Sequence, residues 1–262
     1  MSMVDVDGLT IAYAQAGAGP PLVLLHGGLS DRREWRQQLD ALSDEFTVYA
    51  WDAPGCGLSD DPPENWRMPD YADAVAGWLA AIGVRRPHLL GLSWGSTLAL
   101  EVYRRHQELA SLILCGAYAG WAGSLSPQEN ERRLQAFLVE LELPPEQFVP
   151  SYIPPMLTPA APAEIVEEIT AVMCDLRASG ARPMLRSMAE ADLRGVLPII
   201  QVPTLLIYGE QDVRAPMDVA QEMHRAIPGA KLVVIPGAGH CCNTEAPDAF
   251  NTAVREFVRS LT

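Results

Sequence analysis

The segment Gly91-Leu92-Ser93-Trp94-Gly95 is the strongest indication of how this chain folds. It is a G-x-S-x-G motif that follows the apolar, strand-like run His88-Leu89-Leu90 and precedes a helix-like run that begins at Ser96. Glycine on both sides removes the Cβ atoms that would collide in a sharp strand-to-helix turn. The motif therefore predicts a serine hydroxyl at the tip of a strained bend. Because short glycine-serine patterns are weakly specific, the rest of the chain has to supply the partners of this serine.

Composition narrows the class of protein. The chain has 262 residues, of which 48% are hydrophobic, enough for one large α/β domain with an insertion. The formal net charge of −14 argues against a nucleic-acid partner. The N-terminus lacks a basic region followed by an apolar stretch, and no apolar run is long enough to span a bilayer, so we expect a cytoplasmic protein with no membrane partner.

The cysteines indicate reduced thiols rather than a disulfide framework or a metal site. There are five of them, an odd number, and no C-x-x-C or H-E-x-x-H pattern is present, so no metal is expected. For the adjacent pair Cys241-Cys242 there are two hypotheses: the side chains only fill space, or they form a strained vicinal disulfide.

Short apolar runs alternate with helical patterns along most of the chain. Asp7-Gly8 is the turn signal of an opening hairpin. The later apolar runs lie at 21–25, 46–51, 88–90, 112–115, 204–208 and 232–235, and the helical patterns at 32–43, 71–83, 95–107, 217–226 and 246–260. Runs that are apolar throughout are typical of strands buried on both faces, so this alternation predicts a parallel, doubly wound sheet.

One segment breaks the alternation. From Trp121 to Gly195 there is no clear strand, and helical patterns lie at 128–141, 163–178 and 182–193. Proline pairs in Leu143-Pro144-Pro145 and Ile153-Pro154-Pro155 separate these patterns. We therefore predict a helical cap at 121–195, inserted into a core that comprises 1–120 and 196–262.

Candidate catalytic residues follow three of the predicted strands. Ser93 ends one strand, Asp212 follows the strand that ends at Tyr208, and His240 follows the last strand. Catalytic groups gather at the carboxyl ends of parallel strands. A serine hydroxyl needs a histidine to take its proton and a carboxylate to orient that histidine. We predict Ser93 as nucleophile, His240 as base and Asp212 as the orienting acid, with Glu210 as the alternative acid.

A tetrahedral intermediate also needs backbone N–H donors directed at its oxygen. The N–H of Trp94, next to the nucleophile, is one candidate. The turn His26-Gly27-Gly28-Leu29 supplies the other, at Gly28 or alternatively at Leu29. His26 is expected to be a structural hydrogen-bonding residue of this turn. Cys56, in a glycine-rich turn, has no base of its own and is not expected to be a nucleophile.

With these residues the chain resembles the α/β-hydrolase superfamily over essentially its whole length. Further segments carry the same resemblance: Asp52-Ala53-Pro54-Gly55-Cys56-Gly57-Leu58-Ser59, Gly209-Glu210-Gln211-Asp212 and Gly239-His240. The resemblance implies an α/β-hydrolase fold, with a mostly parallel eight-stranded sheet flanked by helices, a helical cap inserted after strand 6, and no cofactor.

Two groups within this superfamily are similar to the chain. Its size and short cap resemble small carboxylesterases and enol-lactonases, which implies hydrolysis of a small ester or lactone through an acyl-enzyme. The elbow around Ser93 is also similar to that of proline iminopeptidases, although those usually have glycine where this chain has Leu92. An aminopeptidase is therefore the alternative, followed by a C–C bond hydrolase or a non-catalytic ligand receptor. Haloalkane dehalogenases and epoxide hydrolases use aspartate at the position of Ser93.

Apolar residues of the cap and of the two oxyanion segments predict the substrate pocket. They are Leu29, Trp94, Trp121, Phe137, Tyr152, Met156, Met184 and Met188. Methionine and aromatic side chains indicate an adaptable apolar pocket. The cap also carries carboxylates, which either face solvent or, in an aminopeptidase, bind the substrate's amino group. They include Glu129, Glu140, Glu142, Glu146, Glu167 and Glu168.

Overall fold

The computed structural model of the protein describes residues 1–261. Eight strands in this part of the chain form one sheet: β1 Ser2–Val6, β2 Leu9–Ala16, β3 Pro21–Leu25, β4 Thr47–Trp51, β5 His88–Leu92, β6 Ser111–Cys115, β7 Thr204–Gly209 and β8 Lys231–Ile235. Their order in the sheet is β1-β2-β4-β3-β5-β6-β7-β8. Only the pairings of β2 with β1 and with β4 are antiparallel. The predicted mostly parallel, eight-stranded sheet is confirmed.

Helices cover both faces of this sheet. They are α1 Arg36–Leu42, α2 Met68–Ala81, α3 Trp94–His106, α4 Trp121–Ser124, α5 Pro127–Glu140, α6 Pro145–Met156, α7 Ala163–Cys174, α8 Ala178–Glu190, α9 Met217–Ala226, α10 Cys242–Glu245 and α11 Pro247–Arg259. Within residues 1–261, none of the helices has both the length and the apolar character needed to cross a bilayer.

The alternation of side chains along each strand divides the core in two. On β3, Val23 and Leu25 pack into the cluster on one face of the sheet, and Leu22 and Leu24 pack into the cluster on the other. Successive residues of a strand point to opposite faces, so a strand covered on both sides has to be apolar at every position. This requirement explains why these strands are continuous apolar runs in the sequence.

The connection between β6 and β7 is helical, from α4 to α8. Here one expectation was wrong: the proline-rich stretch at 143–155 does not merely separate helices, because Pro145–Met156 is itself helix α6 and contains three internal prolines. Phe148 and Val149 of α6 are buried, and this packing compensates for the backbone hydrogen bonds that proline cannot donate. The division into a core and a cap at 121–195 stays a prediction.

Candidate active site

Ser93 lies on a strained turn between β5 and α3. Its φ of 53° and ψ of −112° lie in a sparsely populated region that costs on the order of 1–3 kcal/mol. A Cβ atom at position 91 would lie 2.2 Å from the carbonyl oxygen of Gly95, and one at position 95 would lie 2.2 Å from that of Leu25. Glycine is therefore required on both sides of the serine. The Ser93 N–H donates to the Cys115 carbonyl at 2.8 Å, which anchors the turn to the end of β6.

His240 and Asp212 form a buried pair. Nδ1 of His240 lies 2.8 Å from Oδ2 of Asp212, and both side chains are 1% exposed. Because a carboxylate oxygen can only accept, Nδ1 carries the proton and Nε2 keeps a free lone pair. Among the described residues, the buried Nε2 has no hydrogen-bond partner. It is thus the atom of this ring that is free to accept a proton.

The loops after β7 and β8 are bonded to each other, and this sets the position of the pair. The Gln211 N–H donates to the Ala238 carbonyl at 2.9 Å. Oδ1 of Asp212 accepts the backbone N–H groups of Arg214 and Ala215, each at 2.8 Å. The Glu210 carboxylate instead accepts the N–H of Gly237 at 3.0 Å. Of the two candidate acids, Asp212 is therefore the one that contacts His240.

Gly116, just after β6, connects His240 with the serine turn. Its φ is +52°, and a Cβ atom there would lie 2.8 Å from Cε1 of His240. The preceding residue, Cys115, accepts the hydrogen bond from the Ser93 N–H. The imidazole and the serine turn therefore contact consecutive residues at the carboxyl edge of the sheet.

His26 holds the turn after β3 in place, as predicted. Its Nδ1 donates to the Gly27 carbonyl at 2.7 Å, and its Nε2 accepts the Ala53 N–H at 3.0 Å. Burial lowers the pKa of His26, which favours the neutral ring that this pair of bonds requires. The N–H of Gly27 donates to Glu34 Oε2 at 2.7 Å and is therefore not available to a substrate.

The oxyanion candidates lie side by side. A Cβ atom at Gly28 would lie 3.6 Å from the Cβ of Trp94. Trp94 is the first residue of α3, so its N–H has no acceptor within the helix. In the described part of the chain, the N–H groups of Gly28 and Leu29 also lack acceptors, and Leu29 has a φ of 64°. Which of the two pairs with Trp94 stays a prediction.

An apolar cavity of about 30 Å³ opens onto Ser93. The residues that line it are Gly28, Leu29, Ser93, Trp94, Tyr118, Trp121, Phe137, Met156, Met184, Leu185, Met188 and Arg214. This space holds roughly two water molecules, so a larger ligand needs side chains to move, and the unbranched methionines suit that adjustment.

Seven of the eight predicted pocket residues line this cavity, and Tyr152 does not. Its ring stacks on Phe137 with centroids 4.4 Å apart, and its hydroxyl donates to Glu140. The sequence patterns gave no indication of Tyr118, Leu185 or Arg214. Tyr118 follows β6 and Arg214 follows β7, and this position after a strand could have indicated that both residues lie near the site.

All five cysteines are free thiols. Cys241 packs beside Leu157 and Ile165, and the sulfur of Cys242 lies 3.5 Å from that of Cys115. Burial raises the pKa of Cys241 well above its ordinary value, and it does the same for Cys56. Both are therefore poor nucleophiles at neutral pH, and no vicinal disulfide links Cys241 to Cys242.

Glu34, which the sequence patterns did not indicate, is a titratable support of the oxyanion turn. Burial raises its pKa from an ordinary 4.5 to about 7. The folded protein holds this proton more tightly than the unfolded chain does. Protonated Glu34 therefore contributes fully to the free energy of unfolding below about pH 4.5, and this contribution is lost as the pH rises through about 7.

Glu34→Gln should remove this titration while keeping an oxygen that accepts the Gly27 N–H. We expect the free energy of unfolding of the wild type, relative to the variant, to fall by about 2 kcal/mol between pH 4.5 and pH 7. Denaturant titrations across this range measure the difference. Glu108→Gln, at an exposed position, is the control and should follow the wild type at every pH. A constant difference between wild type and Glu34→Gln would contradict the raised pKa.

Comparison with known proteins decides the family. Residues 22–253 match the profile of the alpha/beta hydrolase family. The chain belongs to the alpha/beta hydrolase family. The match spans both the turn after β3 and His240, so every candidate catalytic residue lies inside it.

Several known proteins resemble the chain over nearly its whole length. A thermophilic esterase from Thermogutta terrifontis, solved with malate bound, has a TM-score of 0.93 and 30% identity, covering 100% of this chain and 99% of that one. The enol-lactonase of Burkholderia xenovorans LB400 has a TM-score of 0.88 and 26% identity, covering 98% and 100%. A pimeloyl-[acyl-carrier protein] methyl ester esterase of Vibrio atlanticus is 26% identical, covering 95% and 98%.

Proposed function

We propose that this protein is a serine hydrolase that cleaves carboxylic esters or lactones of small molecules through an acyl-enzyme. The observation that carries the proposal is the buried pair of Asp212 and His240, whose free Nε2 lies at the same sheet edge as Ser93. Relatives named as an esterase, an enol-lactonase and a methyl ester esterase support the same reaction class.

In the first half of the reaction, Ser93 Oγ attacks the substrate carbonyl carbon while its proton passes to Nε2 of His240. The Asp212 carboxylate stabilises the imidazolium that forms. The carbonyl oxygen becomes an oxyanion and accepts hydrogen bonds from the N–H groups of Trp94 and of Gly28 or Leu29. The tetrahedral intermediate collapses, and the C–O bond to the alcohol breaks. His240 gives its proton to that leaving oxygen.

In the second half, water takes the place of the alcohol. His240 removes a proton from this water, which attacks the carbonyl carbon of the acyl-enzyme. The second tetrahedral intermediate expels Ser93 Oγ, which regains a proton from the imidazolium. The products are the carboxylic acid and free enzyme. A lactone follows the same steps, with its alcohol remaining part of the released hydroxy acid.

We propose that segment 121–195 acts as a cap that shapes the substrate pocket. Five residues of the cavity over Ser93 come from α5, α6 and α8, namely Phe137, Met156, Met184, Leu185 and Met188. Replacements at these positions would therefore alter the choice of ester more than the chemistry at Ser93.

The charges around the cavity favour an ester over the aminopeptidase alternative. An N-terminal ammonium group needs a carboxylate near the nucleophile, yet no carboxylate of residues 1–261 lines this cavity. Of the six cap glutamates named from the sequence, four have partners: Glu129 pairs with Arg132 and Arg133, Glu140 with Tyr152, Glu142 with Arg182, and Glu168 with Arg36. The other two, Glu146 and Glu167, are exposed.

A substrate panel tests this assignment. We expect kcat/KM for p-nitrophenyl butyrate to exceed that for prolyl-β-naphthylamide by at least about 10³-fold, because the cavity offers no ammonium partner and amides have poorer leaving groups. Short aryl esters and small lactones form the rest of the panel. Comparable turnover of the prolyl amide would instead support the aminopeptidase.

Covalent labelling tests the acyl-enzyme independently of the natural substrate. A fluorophosphonate should add one equivalent to the peptide that contains Ser93, as located by mass spectrometry. Labelling without sustained release of product from any ester would favour a non-catalytic receptor. Labelling at a different residue would remove Ser93 from the proposal.

A further inference from the structure

Arg214 brings a positive charge to the cavity over Ser93. It follows β7, lines the cavity, and is half-buried. Among residues 1–261, no acceptor forms a hydrogen bond or ion pair with its guanidinium. The nearest acid in sequence, Asp212, already accepts from His240 with one oxygen and from two backbone N–H groups with the other. The cavity therefore contains a guanidinium that makes no ion pair or hydrogen bond within the described chain.

A second unpaired donor lies in the same cavity. Tyr118 follows β6 and lines the cavity, and among the described residues no acceptor takes the proton of its buried hydroxyl. Burial raises the pKa of this phenol, while the Arg133 guanidinium, which can donate only to the phenol oxygen, and the charge of Arg214 oppose the rise. At neutral pH the hydroxyl is protonated and can donate.

The neighbouring arginine, Arg133, has an ion-pair partner. Arg133 of α5 pairs with Glu129 at 2.7 Å and stacks over the ring of Trp121, with 5.9 Å between Cζ and the ring centroid. Arg133 is therefore neutralised within the protein, whereas Arg214 is not. A guanidinium without an ion-pair partner and a hydroxyl proton without an acceptor are both costly beside apolar side chains, and a single bound anion would offset both costs.

We infer that the substrate is an ester or lactone with a carboxylate on the part that lies in this cavity, and that Arg214 and the Tyr118 hydroxyl bind that carboxylate. The planar guanidinium fits a carboxylate through two parallel hydrogen bonds, and the phenol supplies a third donor. The apolar side chains around them hold the carbon chain between the carboxylate and the carbonyl at Ser93. This inference rests on the proposed serine-hydrolase function and adds a charge requirement to it.

Matched pairs of esters test the charge requirement. The first pair is mono-p-nitrophenyl adipate, which carries a carboxylate on its acyl part, and p-nitrophenyl hexanoate, its neutral counterpart. The second pair is para-acetoxybenzoate, which carries a carboxylate on its leaving group, and the methyl ester of this compound, which is neutral. In at least one pair we expect the wild type to have a kcat/KM at least about tenfold higher for the charged ester. A preference for the neutral ester in both pairs would overturn the inference.

Substitutions then assign that preference to Arg214. Arg214→Met keeps an unbranched side chain without the charge and should lower the charged-to-neutral ratio at least about tenfold, while Arg214→Lys should restore part of it. Tyr118→Phe should produce a smaller fall, mainly through KM. Arg194→Met, which removes an exposed arginine paired with Asp192, is the matched control and should keep the wild-type ratio. A ratio that is unchanged in Arg214→Met would refute the assignment.

A binding measurement separates this inference from the proposed reaction. Monomethyl adipate, titrated calorimetrically into Ser93→Ala, should bind at least about tenfold more tightly than to Ser93→Ala with Arg214→Met. Equal affinities would overturn the inference even if the wild type is an active esterase. Conversely, an enzyme that binds the carboxylate through Arg214 but hydrolyses no ester would refute the serine-hydrolase function and leave the anion site intact.

Discussion

Ser93→Ala is expected to lower kcat/KM for p-nitrophenyl butyrate by at least about 10⁴-fold. Without the hydroxyl no acyl-enzyme forms, and the remaining oxyanion donors can only assist direct attack by water. Initial rates, corrected for spontaneous hydrolysis, measure the loss. Turnover within tenfold of the wild type would show that another group is the nucleophile.

The fold should tolerate this substitution. No hydrogen bond in the described chain involves the Ser93 hydroxyl, and alanine keeps the same Cβ atom on the same strained backbone. We therefore expect the free energy of unfolding to change by less than about 0.5 kcal/mol. Ser151→Ala, at an exposed position of α6, is the control and should retain wild-type activity. A loss of activity accompanied by unfolding would not count as support for a catalytic Ser93.

Asp212→Asn should lower kcat for the same ester by about 10³–10⁴-fold. The asparagine amide can donate to Nδ1 of His240, which moves the ring proton to Nε2. The atom that has to accept the serine proton is then already protonated. Steady-state kinetics measure the effect, and near-native thermal unfolding would show that the loss is chemical rather than structural.

Glu210→Gln is the matched control for the acid. Glu210 is exposed and accepts the N–H of Gly237, away from the imidazole. Its kcat should stay within about threefold of the wild type, since surface substitutions of this kind have small effects. If the two variants lost activity equally, Asp212 would not be the orienting acid.

Local patterns were sufficient to predict the sheet. Strands such as β3 are covered on both faces, so every side chain is apolar and the run is visible in the sequence. The glycines at 91 and 95 are required because backbone carbonyl oxygens approach within 2.2 Å of where a Cβ would lie. At position 91 the colliding atom belongs to the same turn, whereas at position 95 it belongs to Leu25 of β3, yet both requirements leave a glycine in the same short motif.

The pocket was predicted less completely, because it is formed by contacts between distant segments. Tyr152 is as aromatic as Phe137, yet its hydroxyl bonds to Glu140, its ring stacks on that of Phe137, and it does not line the cavity. Helix α6 shows the same limitation, since proline argues against a helix locally while the burial of Phe148 and Val149 maintains one. Packing partners decide both outcomes, and no short pattern identifies them.

The alternation of strands and helices, the serine turn and the residue types of the candidate catalytic group can all be recognised in the amino-acid sequence. These features follow from backbone sterics and from the periodic burial of side chains. The contact of Asp212 rather than Glu210 with His240, and the position of Arg214 and Tyr118 in the cavity beside Ser93, are visible only in the folded molecule. These contacts depend on how loops that follow different strands pack together at the carboxyl edge of the sheet. Residues far apart in the chain determine this packing.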